Sequence, residues 1–124
     1  MGADLYIKDM ERESQICGFE VSVDAVDNGY FRDCYNDSGL FAQLGLSWWE
    51  TMDMEEFKTN ENWEMNVEQL KEFKKYVNNA YLKWLEESKD KDEEYVCEYA
   101  TWCGLLLRFL DKAISINSPV IFSV

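Results

Sequence analysis

The chain of 124 residues contains no histidine. That excludes Ser-His-Asp and Cys-His catalysis and every His-ligated metal site. Proline occurs once and glycine six times, too few for a loop-rich scaffold. Basic residues number 12 against 25 acidic ones, a formal charge of −13. A body so charged repels DNA and RNA phosphate, so it is not expected to bind nucleic acid directly. No apolar run is longer than three residues (Leu105, Leu106 and Leu107 form one). A membrane span needs about 20. Gly-rich phosphate loops and Cys-x-x-Cys pairs are also missing. The first nine residues hold Asp4, Lys8 and Asp9 with no apolar run behind them, which predicts a soluble, cytoplasmic protein without a signal peptide. In that setting Cys17, Cys34, Cys97 and Cys103 read as reduced, buried small hydrophobes. Cys34, in an aromatic and acidic setting, is a poor nucleophile candidate.

What is present suffices for a core. Apolar residues make up 47 % of the chain and aromatics 15 %, which rules out a disordered acidic tail, and the length fits one domain over residues 1–124. Residues 3–8 read as a first strand, with Leu5 and Ile7 on one side and Asp4, Tyr6 and Lys8 on the other. Residues 16–26 alternate in the same way and predict a second strand, ended by Asp27, Asn28 and Gly29. Asn36, Asp37 and Ser38 are N-cap types, and a helix is expected from there to about Met52, kinked near Gly45. Residues 53–66 are expected to form a connection that has room for a helical turn, with Phe57 and Trp63 as isolated anchors. Asn66 caps the most regular helix, in which Val67, Leu70, Phe73, Val77, Tyr81 and Trp84 recur at helical spacing. After a charged hinge at 86–94, a second long helix runs to about Ile116, stopped by Asn117, Ser118 and Pro119. Residues 120–124 form a last strand that pairs with the first. The expected fold is α+β: a small sheet of two or three short strands, one short helix, and two long helices in an antiparallel hairpin.

Three strings carry a resemblance: Met1 to Ile7 (MGADLYI), Gly29 to Ser38 (GYFRDCYNDS) and Gly45 to Trp49 (GLSWW). Together they resemble a family of small hypothetical proteins met in bacteriophage and bacterial genomes. The resemblance covers about the first 50 residues and implies a phage or mobile-element setting. It implies no activity.

Three groups of residues are candidates for function. Asp24, Asp33 and Asp37 are weak candidates for a hard cation such as Ca²⁺ or Mg²⁺, because their spacing fits no EF-hand; the plainer reading is turn and cap chemistry, with Arg32 pairing a carboxylate. Tyr30, Tyr35, Trp48 and Trp49 have the aromatic character of interface hot spots. Trp48 and Trp49 diverge by about 100° on a helix, so one packs inward and the other covers a connection or stays exposed. Glu50, Asp53, Glu55, Glu56, Glu61 and Glu64 are the core of an acidic surface, with a second run at 86–94 interrupted by Lys89 and Lys91. An acidic surface keeps a protein soluble, or it engages a basic one. The reading that follows is a non-enzymatic, anti-CRISPR-like inhibitor. It needs no cofactor and occupies the basic nucleic-acid site of a host defence nuclease. The alternatives are an immunity or antitoxin protein covering a basic toxin, and a small Ca²⁺/Mg²⁺-binding protein or enzyme.

Overall fold

Two strands far apart in sequence form the centre of one antiparallel sheet. In the computed structural model, which describes residues 2–10 and 22–124, β1 (Gly2–Ile7) pairs with β4 (Val120–Ser123), placing Leu5 opposite Phe122. The chain's two ends are therefore hydrogen-bonded to each other, as the sequence led us to expect. β2 (Tyr30–Cys34) flanks β1 on one side and the two-residue β3 (Glu64–Met65) flanks β4 on the other, giving the order β2-β1-β4-β3. The sheet thus has four strands rather than two or three.

Period-2 alternation divides the sheet into two faces. Ala3, Leu5, Ile7, Phe31, Met65, Val120 and Phe122 are buried beneath the helices. Asp4, Tyr6, Tyr30, Arg32 and Ile121 form the opposite, half-buried face. There the Tyr30 hydroxyl donates to the Asp4 carboxylate, Arg32 lies 3.4 Å from the same group, and the Tyr6 and Tyr30 rings sit 5.3 Å apart. Burial, with the Asp4 bond second, pushes the Tyr30 phenol up to about 12.

The helical hairpin is as expected. α4 (Val67–Glu87) begins at a complete capping box between Asn66 and Gln69 and turns at 88–92 into α5 (Glu93–Ser115), capped by Asp92. α5 ends in a Schellman motif: Ser118 N–H donates to Ala113 O, Asn117 N–H to Ile114 O, and Asn117 takes a left-handed φ of 57°. Central in the core, Phe73 of α4 meets Phe41, Trp48, Phe57 and Phe122.

Before the hairpin the structure differs from the expectations in four places, the first being β2, where no strand was expected. Residues 23–27 of the expected second strand form a short helix, α1 (Val23–Asp27), capped by Ser22 and tied to α5 by the Arg108–Asp27 ion pair at 2.8 Å. One helical turn puts Ala25 and Val26 inside together, which alternation would not do. Residues 16–21 lie outside the described residues. The single kinked helix is instead two, α2 (Leu40–Gln43) and α3 (Trp48–Asp53). Gly45, at φ 75°, ends α2 in a second Schellman motif, with Leu46 N–H donating to Phe41 O and Gly45 N–H to Ala42 O. A Cβ at Gly45 would meet nothing within 4 Å, so Gly45→Ala isolates backbone strain. We expect it to destabilise by about 1 kcal/mol in chemical denaturation. The 53–66 connection has its helical turn as a 3₁₀ turn (Glu55–Phe57), and it also holds β3, for which no strand was expected.

Of the cysteines, Cys17 lies outside the described residues. Cys103 is buried, and burial pushes its thiol up to about 12. Cys34 is half-buried and Cys97 exposed, so the buried reading fails for Cys97, which lies on the outer side of α5. These three are free.

Candidate partner-binding surface

Asp33 organises this region. It alternates inward on β2, and the residue is 1 % exposed. Oδ1 accepts from Cys34 N–H and Leu40 N–H, both at 2.8 Å; Oδ2 accepts from Phe41 N–H at 3.0 Å and Trp48 Nε1–H at 2.7 Å. α2 has Gly39 at its N-cap and no capping side chain of its own, so Asp33 caps it from the neighbouring strand. Burial pushes the Asp33 carboxyl above the ordinary carboxylate range, while the four N–H donors favour its ionised form and pull the other way. With both oxygens directed at N–H groups and shielded from solvent, Asp33 is not placed to ligate a cation. Asp24 and Asp37 are exposed, and among the described residues no three Cys, Asp or Glu side chains gather as a metal would need.

The bond from Trp48 to Asp33 sets the rotation of α3. Trp48 is 2 % exposed and stacks on Phe41 with ring centroids 3.7 Å apart and planes within 3°. Thr51, one turn on, is also buried and shares a 3.2 Å hydrogen bond with Tyr76. With Trp48 and Thr51 inside, the helical period turns Trp49, Glu50 and Asp53 outward. Trp49 is 64 % exposed. The side of its ring is supported by Tyr35, 5.4 Å away at 37°.

The segment that follows this indole in the chain is rich in charge of one sign. Glu50, Asp53, Glu55, Glu56 and Glu61 are all exposed. Lys58 sits 3.5 Å from Glu55, and among the described residues no cation pairs with Glu50, Asp53, Glu56 or Glu61. Elsewhere Glu68–Lys71 and Glu72–Lys75 are paired on α4, each at 3.2 Å. Glu64 differs from the rest of its group: it is half-buried, 2.6 Å from Lys8, and accepts from Asn60 Nδ2. Those two partners hold its carboxyl below the usual range, so Glu64 joins the sheet edge to β1. Tyr30 likewise belongs to the half-buried sheet face with Asp4 rather than to the Trp49 surface.

No protein-family model, curated protein or solved structure matches this chain.

One of the two aromatic anchors expected in the 53–66 connection is not buried. Trp63, expected as an anchor, is 65 % exposed and sits at φ 63°. The Asn60 side chain accepts from Asn62 N–H and Glu64 N–H, and Phe122 N–H bonds Trp63 O, so the turn's backbone bonds hold Trp63 in the left-handed region. Asn and Gly are the usual signals for that conformation, and neither stands at position 63. Because little of the ring is buried, Trp63→Gly is expected to be neutral or to stabilise by up to about 1 kcal/mol, read from the denaturation midpoint. A loss above that size would mean the indole packs in solution.

Proposed function

We propose that this protein is a non-enzymatic inhibitor from a phage or mobile element that docks on the basic nucleic-acid site of a host defence nuclease. One observation carries the reading: an indole held outside the core by its neighbour's anchoring, on a helix whose own carboxylates, Glu50 and Asp53, pair with no described cation. An exposed aromatic beside carboxylates has the make-up of a binding hot spot. Unpaired carboxylates speed encounter with a positive surface and discriminate against negative ones. The resemblance of the first 50 residues to small phage-borne proteins supports the setting.

The test begins with affinity capture from a host extract and mass spectrometry, followed by nucleic-acid-binding assays on the captured nuclease. Inhibitor affinity is expected to fall by roughly tenfold or more between low and high salt. The triple reversal Glu55→Lys, Glu56→Lys and Glu61→Lys is expected to abolish inhibition with the melting temperature nearly unchanged, because all three side chains are exposed. Inhibition that survives the reversal would discard the mechanism.

A further inference from the structure

We infer that Trp49 is the receptor for an arginine side chain of the partner, with the indole face taking the guanidinium and Asp53 supplying its counter-charge; this rests on the docking reading above. Trp49 and Asp53 stand four residues apart on α3, the spacing that puts two side chains side by side on a helix. Both are exposed, and Asp53 has no described cationic partner. Tyr35 braces the indole on one side, which reduces the rotamer freedom that binding would otherwise remove.

The chemistry of the patch selects among occupants. An aliphatic side chain on Trp49 would lie against carboxylates and take them out of water with no hydrogen bond in return. A phosphate or an acidic peptide would be repelled. A lysine ammonium satisfies the charge, but it is compact and strongly hydrated. A guanidinium is flat and weakly hydrated. It stacks on an aromatic face while its edge donates two parallel N–H bonds to a carboxylate. A basic nucleic-acid site supplies such residues in number.

The second exposed indole provides an internal control, because Trp63 lies outside α3 and has a different backbone setting. We would label the full chain with ¹⁵N, assign the indole N–H signals by single Trp→Phe variants, and titrate with blocked triarginine and trilysine peptides. The expected result is a saturable shift centred on Trp49, larger than at Trp63, with arginine binding at least threefold tighter than lysine. Asp53→Asn should weaken triarginine several-fold, and Trp49→Leu should erase the preference for arginine. The Trp48 indole signal reports that each variant has kept its fold. Equal shifts at both indoles, equal affinity for the two peptides, or no effect of Asp53→Asn would each overturn the inference. If both peptides bind equally and the triple reversal at 55, 56 and 61 still weakens them, general acidic docking survives and the arginine receptor does not. If neither peptide binds, both readings fall.

Discussion

Replacing Asp33 by asparagine is expected to destabilise the protein by about 3–5 kcal/mol, the range found when one partner of a buried charged network is removed. The arithmetic lies in the donors. The carboxylate receives four N–H groups, two on each oxygen. An amide offers only one acceptor oxygen, so whichever way the new side chain turned, its NH₂ would face two N–H donors. Two buried donors would then lack acceptors, each costing about 1–3 kcal/mol. A fall in Tm on the order of 10–20 °C follows for a domain of this size. Part of the loss should be recovered in the double variant Asp33→Asn, Trp48→Phe, which deletes one of the stranded donors; a coupling of about 1 kcal/mol or more in the four-member cycle would report it. A loss below about 1 kcal/mol in Asp33→Asn would mean the carboxylate is not the acceptor described. The same variant should free α3 to rotate, reducing partner binding beyond what the stability loss explains.

Phe73→Ala is expected to cost about 3–5 kcal/mol for a different reason, the cavity it opens. Phe73 is fully buried and sits edge-on to Phe57 at 5.4 Å and to Phe122 at 5.5 Å, with Phe41 and Trp48 each at 6.3 Å. It thus links α4 to the sheet, the 3₁₀ turn, α2 and α3. Phe73→Leu, which keeps most of the volume, should cost about 1.5 kcal/mol. Denaturant unfolding measures both, and near-ultraviolet circular dichroism should show the Trp48 environment loosening in Phe73→Ala alone. Equal costs for the two variants would contradict the packing.

The elements legible in the chain are those whose signal is local and repeated. α4 and α5 each run more than 20 residues, so an apolar stripe at helical spacing accumulates over about six turns. Asn66, Asp92 and the Asn117 to Pro119 stop are short-range cap and turn chemistry, and each marks its helix end. β1 and β4, of six and four residues, alternate and carry core side chains. Between them, α1 has five residues, α2 four and β3 two. No period establishes itself over so few positions, and residues 23–26 fit strand alternation as well as one helical turn. β2 was hidden because its alternate residues include a buried charge, Asp33, which reads as surface in any hydrophobicity pattern.

For the candidate surface, the chain by itself determined the raw materials: the excess of carboxylates, the absence of histidine, and the divergence of two adjacent indoles. Their arrangement was decided by tertiary contacts. Which tryptophan goes inside depends on an acceptor 15 residues away on β2, and only folding brings Asp33 Oδ2 to Trp48 Nε1. The same holds for the acids. Glu64 lies close to Glu61 in the acidic segment, yet sheet register brings Lys8 to it, while Glu50, Asp53, Glu56 and Glu61 meet no described cation. A charge's neighbours in space depend on which strands pair, and pairing is settled by the burial of Leu5, Phe31 and Phe122 rather than by the charges themselves.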